Sequence, residues 1–207
     1  MRNSGRNNAA LQLLLLLLTL TLHLQVVHAA GSVPEGFIDE VVGSTKAISG
    51  IFVANPRSPT NQPMMILNDK NGLVHVLENP DESPKDMEIL DLRGRICTNG
   101  ERGLMSLAAH PNFAENRWIY AFYTKYRQDC LEDTELGPWN AVTRFTMDSA
   151  TLELNVDEAV EIWRGAVLPK RLHNGGAIAF GNDGKLYITT GDAGERSNAA
   201  SLQNVHG

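Results

Sequence analysis

A chain of 207 residues with 18 basic and 24 acidic side chains carries a formal net charge of −6. That balance excludes the basic face on which nucleic acid or an anionic lipid surface is held. The chain has two cysteines, no Cys-x-x-Cys pair and no His/Cys cluster, which leaves zinc without a candidate site.

Residues 1–30 form a segment of their own. Arg2 and Arg6 give a positive start, Ala9 to Leu24 is almost wholly apolar with a run of leucines, and Val27-His28-Ala29 puts small or apolar residues where a signal peptidase reads. This pattern predicts a secretory signal peptide cleaved after Ala29 or Ala30. A membrane anchor is the competing reading, but the apolar run is about 16 residues, short of the roughly 20 that span a bilayer. Removing the leader takes away two arginines and leaves 16 basic against 24 acidic residues, a formal charge of −8. The remainder, residues 31–207, is long enough for one domain with a core. In an oxidising compartment Cys97 and Cys130 are expected to pair, two buried free thiols being the alternative.

Strands are expected at Phe37–Val42 and Ile48–Ala54, the second stopped by Asn55-Pro56 and a Pro/Ser/Thr/Asn loop through Pro63. Met64–Asn68 and Gly72–Leu77 flank Asp69-Lys70-Asn71-Gly72 as a hairpin, and Met87–Leu92 follows beyond Pro80 and Pro84. The block Gly103 to Pro111 leads through a loop to a strand at Trp118–Tyr126. Residues 127–140 are acidic and irregular, and Asn140–Met147 and Glu158–Trp163 read as two more strands. Apolar residues never keep a 3.6-residue period after the leader, so helix is expected to be scarce.

The densest stretch is Leu172 to Gly194. Ala177–Phe180 and Lys185–Thr190 read as strands around the hairpin signal Asn182-Asp183-Gly184. If they pair antiparallel, the residues just before the first and just after the second share one edge of the sheet, which makes His173 and Asp192 neighbours. A histidine oriented by a carboxylate is a candidate general base. Against this stands a plainer reading: Asp192 lies in Thr-Gly-Asp-Ala-Gly, where aspartate commonly bonds its own backbone, and Gly175-Gly176 can be a mere strand entry.

Gly103-Leu-Met-Ser-Leu-Ala-Ala-His-Pro-Asn followed by Trp-Ile-Tyr is echoed, roughly seventy positions on, by Gly175-Gly-Ala-Ile-Ala-Phe-Gly-Asn-Asp followed by Lys-Leu-Tyr. Four short strands lie between one copy and the next, which is the signature of propeller blades. The expectation is an all-β chain holding two to three blades of a β-propeller. An arc of that size exposes strand edges that a closed ring buries, so the chain is expected to be a fragment or a truncated product.

Glu101-Arg-Gly-Leu-Met-Ser-Leu-Ala-Ala-His-Pro-Asn-Phe, Trp118-Ile-Tyr-Ala-Phe-Tyr-Thr, Val142-Thr-Arg-Phe and His173-Asn-Gly-Gly-Ala-Ile-Ala-Phe-Gly-Asn-Asp-Gly-Lys-Leu-Tyr-Ile-Thr-Thr-Gly-Asp-Ala-Gly occur in that order. This set resembles successive blocks of the soluble glucose/sorbosone dehydrogenases, and is similar to hedgehog-interacting-protein-like secreted proteins. The resemblance implies a six-bladed propeller that oxidises a sugar hydroxyl with pyrroloquinoline quinone (PQQ). It makes His173 the catalytic base and Asp192 the residue that orients it. Glu101, where many members carry glutamine, falls at the substrate and cofactor mouth, with Asn174, Gly175 and Gly176 beside it; a carboxylate there keeps the acceptor and loses the amide donor. Arg102 reads as a loop or surface residue, and Arg196 as either solvated or cofactor-facing. The cations that hold the quinone and the calcium ligands are expected beyond Gly207, so the chain alone is expected to be inactive. A sugar, an electron acceptor or an extracellular protein are the partners implied. The alternative function is a non-catalytic extracellular propeller that binds a protein or glycan.

Overall fold

The computed structural model describes residues 34–38, 46–60, 62–78, 85–127, 129–130, 137–168, 170–200 and 203. The chain divides into two compact units, Met1–Val41 and Val42–Gly207. Of the first, a turn is described in which the Phe37 N–H donates to the Pro34 carbonyl at 3.1 Å. The expected signal peptide lies outside the described residues, as does most of the expected strand Phe37–Val42. No helix among the described residues is long and apolar enough to cross a membrane.

The second unit is built from antiparallel sheets. β1 (Ser49–Ala54), β2 (Pro63–Asn68), β3 (Leu73–Glu78) and β4 (Lys85–Asp91) form one four-stranded sheet in sequence order. β5 (Leu104–Ala109), β6 (Trp118–Lys125), β7 (Trp139–Met147) and β8 (Leu154–Val167) form a second, and β9 (Gly175–Phe180) pairs with β10 (Leu186–Thr190). Four-stranded meanders stacked face to face are propeller blades, so the described residues of the unit hold two blades and two strands of a third. The described helices are α1 (Phe113–Asn116) and a 3-10 turn at Asn198–Ala200.

Turn chemistry sets the register. At the β2–β3 hairpin the Asp69 Oδ1 accepts the N–H groups of Gly72 and Leu73, each at 2.9 Å, and Gly72 takes φ +110°. Burial decides which strands alternate. β6 is apolar from Trp118 to Tyr123 because it is covered on both faces. Ile119 and Ala121 face a core shared with Met64, Ile66, Val74 and Val76 of the first blade, whereas Tyr120 and Phe122 face Ile178 of the third sheet.

The expected strand at Glu158–Trp163 belongs to a longer one. β8 runs for 14 residues, with register shifts along its pairing to β7. As the outermost strand of its blade it faces solvent on one side, so Asp157, Glu158 and Arg164 are exposed without ending it.

Cys97 and Cys130 form a disulfide with their Cα atoms 5.5 Å apart. It ties the segment entering β5 to the loop after β6, and the Cys97 N–H donates to the carbonyl of Thr124, within β6, at 2.9 Å.

Candidate active site

β9 and β10 pair with Leu186 opposite Phe180 and, after a bulge, Thr190 opposite Gly175. This register brings the residue before β9 and the residue after β10 to one end of the sheet. There the His173 Nδ1 lies 2.9 Å from the Asp192 Oδ1. The same Asp192 oxygen accepts the Gly194 N–H at 2.9 Å. Turn former and histidine partner, the two readings of Asp192 that its sequence allows, are therefore both properties of one carboxylate.

Asp192 has its carboxyl held below the ordinary value of 3.8, first by the His173 bond and then by the Gly194 N–H, with a further contribution from the charge of Arg196. An ionised carboxylate only accepts, so His173 donates from Nδ1 and leaves the Nε2 lone pair outward. The imidazole is 60% exposed and its partner's side chain 21%, so the ring is open to solvent. Because the depression exists only in the folded chain, its contribution to stability is present above the unfolded-state value and is lost as pH falls through the folded-state one. Carbon-13 titration of the Asp192 carboxyl is expected to give a midpoint below the ordinary 3.8; a midpoint at or above that value contradicts the bonding described.

His173 takes φ +56°, a left-handed conformation that costs a non-glycine residue about 1–3 kcal/mol and persists only where surroundings enforce it. Three contacts do so. The His173 N–H donates to the Glu101 Oε2 at 2.6 Å, the Ala193 N–H donates to the His173 carbonyl at 3.1 Å, and the backbone of Gly191 lies against that carbonyl. A Cβ at Gly191 would sit 2.0 Å from the His173 oxygen. Gly191→Ala is expected to lower stability by about 1–3 kcal/mol and to return the Asp192 midpoint toward its ordinary value. An unchanged melting temperature and midpoint would show that the backbone can yield there.

The other residues expected at the site divide between mouth and interior. Glu101 is exposed, on the loop entering β5. Asn174 is 2% exposed, and its carbonyl accepts the Asn140 Nδ2 at 3.0 Å, so its backbone is anchored inside the blade stack. Gly175 takes φ +70° with a Cβ position 2.5 Å from the Gly191 nitrogen, and Gly176 lies against the Met105 side chain while its carbonyl accepts the Ser106 hydroxyl. Among the described residues no group of three or more His, Cys, Asp or Glu side chains could hold a metal ion.

Of the remaining histidines, His75 lies 3.0 Å from Asp86, and His110 packs among Trp118, Tyr120 and Phe180 with Nδ1 on Asn116. Arg102, expected at the surface or on a loop, lies on the loop before β5 but is 0% exposed: its Nη1 donates to the Cys130 carbonyl at 2.7 Å and its Nη2 to the Leu168 carbonyl at 3.3 Å. A charged residue in a polar loop sequence carries no sign of such burial. Gly191 was also not legible as a close-approach residue, although it stands inside the motif Thr-Gly-Asp-Ala-Gly.

The family model for glucose/sorbosone dehydrogenase matches residues 56–207. The chain belongs to the glucose/sorbosone dehydrogenase family. It is 32% identical over 163 residues to the human Hedgehog-interacting protein, covering 75% of this chain and 22% of that protein. It is 32% identical over 96 residues to quinoprotein glucose dehydrogenase B of Acinetobacter calcoaceticus, covering 46% and 19%. Thus the chain spans about a fifth of the length of these relatives. Among solved structures, a Thermus thermophilus oxidoreductase described as a glucose dehydrogenase superposes with TM-score 0.55 at 29% identity, over 72% of this chain and 39% of that one. The PQQ-bound aldose sugar dehydrogenase of Streptomyces coelicolor shares the fold, with TM-score 0.57 at 22% identity over 79% and 48%.

Proposed function

We propose that the chain carries the proton-accepting part of a sugar-oxidising site in a secreted member of the glucose/sorbosone dehydrogenase family. The observation that supports it is the His173–Asp192 pair, its ring turned outward at a strained backbone position. A sugar hydroxyl loses hydride readily only as its proton leaves, so a neutral imidazole within hydrogen-bond reach of that hydroxyl is what the chemistry needs. His173 takes the proton at Nε2, and Asp192 stabilises the imidazolium that results.

In this reading PQQ would supply the hydride acceptor, with calcium as its companion ion. Its several carboxylates call for a surplus of cations. The charged groups around the site balance instead: Lys170, Arg171 and Arg196 stand against Glu101, Asp192 and Glu195, and Lys170 is already paired with Glu195. These residues do not fit the acidic end of the quinone.

A second reading has its own support. Similarity to the human Hedgehog-interacting protein extends over three quarters of the chain, and it favours an extracellular propeller that binds a protein partner. The discriminating experiment is dye-linked aldose oxidation by the full-length secreted protein after addition of PQQ and calcium. Turnover supports the enzyme; absence of quinone uptake by the folded protein transfers the assignment to the binding module.

A further inference from the structure

The loop Asn99–Gly103 grips the approach to His173 from both sides. The Glu101 N–H donates to the Arg171 carbonyl at 2.9 Å, while its carboxylate receives the His173 N–H at 2.6 Å. Gly100 takes φ +63° and runs so close to Arg171 that a Cβ there would meet its carbonyl oxygen at 2.6 Å. Glu101 therefore bonds to main chain on both of its own ends.

The next residue anchors this grip. Arg102 is fully buried and spans two separate segments, the Cys130 carbonyl in the disulfide loop and the Leu168 carbonyl at the start of the stretch that carries His173. Asn99 Nδ2 donates to the same Cys130 carbonyl at 2.9 Å, and Lys70 Nζ donates to the carbonyls of Thr98 at 3.1 Å and Gly100 at 2.5 Å. The loop is thus fixed from three directions before it reaches the histidine.

We propose that Glu101 is a positioning residue for His173, held in register by the buried Arg102, and that its carboxylate serves the main chain of the base rather than the substrate. This deepens the reading of His173 as the base and rests on it. A carboxylate accepting a backbone N–H makes a charge-assisted bond, roughly twice as strong as a neutral one. It acts here on a residue whose left-handed backbone has no intrinsic preference to stay where it is. Loss of that bond lets the peptide before His173 rotate, and the imidazole with it.

The test uses the full-length protein. Glu101→Ala is expected to lower kcat by about ten- to a hundredfold, the scale of a misplaced reacting group, with KM within about twofold of wild type. Glu101→Gln recovers most of the rate, because its amide oxygen accepts the same N–H. In a His173→Ala background, Glu101→Ala has no additional effect, since it acts only through the base. Hydrogen exchange at the His173 amide rises in Glu101→Ala and not in Glu101→Gln, a readout that needs no activity. Arg102→Lys keeps the charge but cannot span both carbonyls, and raises exchange at the same amide.

A raised KM with unchanged kcat in Glu101→Ala, or an additive loss in the His173→Ala background, makes Glu101 a substrate contact and overturns the proposal, as does unaltered exchange at the His173 amide. Unaltered exchange in Arg102→Lys removes Arg102 from it. If the wild-type protein oxidises no sugar, the exchange measurement still decides whether Glu101 positions His173, and only the reading of His173 as a base fails.

Discussion

His173→Ala in the full-length protein is expected to lower aldose turnover by about 10²- to 10⁴-fold, the usual contribution of a positioned general base. The loss falls on kcat, because the imidazole acts as the proton leaves, and quinone uptake stays near wild type because the charge-balanced residues around His173 hold little of that cofactor. Asp192→Asn is expected to cost less. The side-chain amide still offers an oxygen to Nδ1, but it no longer stabilises the imidazolium by charge and can turn to present its donor instead. Steady-state dye-linked kinetics of the two variants, beside a measurement of quinone binding, check the order. Unchanged turnover in His173→Ala places the base elsewhere, and a larger loss in Asp192→Asn than in His173→Ala makes the carboxylate the principal group.

Removal of the disulfide is expected to have the largest effect on stability. Cys97 and Cys130 are 33 residues apart in sequence, and closing a loop of that length restricts the unfolded chain by roughly 3–4 kcal/mol in the chain-entropy description. The bridge also fixes the Cys130 carbonyl that both Arg102 and Asn99 hold. A chain with Cys97→Ser and Cys130→Ser is therefore expected to unfold at lower denaturant, by a shift equivalent to that free energy, with a larger proportional loss of turnover than of folded protein. Denaturant unfolding of the protein gives the first quantity and kinetics at constant folded fraction the second. A midpoint unmoved by the double substitution would show that the hydrogen bonds around Arg102 hold the loop unaided.

Much of this molecule is legible without its tertiary structure. Alternating or continuous apolar runs broken by Asn-Pro, Asp-Lys-Asn-Gly and Asn-Asp-Gly place the described strands other than β5 and β8 within one or two residues, because turn chemistry and strand period are local properties of the chain. The proximity of His173 and Asp192 follows from one further step, since antiparallel pairing across a short hairpin brings its outer ends together. Pairing of two cysteines is likewise close to forced in an oxidising compartment.

Other features depend on what lies opposite in space. That β6 buries both faces is decided by the blades on either side of it, and the full length of the charged β8 by the ladder it makes with β7. Arg102 reads as a surface residue until Cys130 and Leu168, 28 and 66 positions away, supply the carbonyls that make its burial tolerable. That the Glu101 carboxylate accepts a main-chain N–H is decided by His173, 72 positions on. Gly191 reads as a turn glycine until the His173 carbonyl is found where its Cβ would be. The common reason is physical: propensity and turn geometry act over a few residues, whereas desolvation of a charge, satisfaction of a buried donor and the exclusion of a Cβ are set by atoms that only the packed fold brings within a few ångströms.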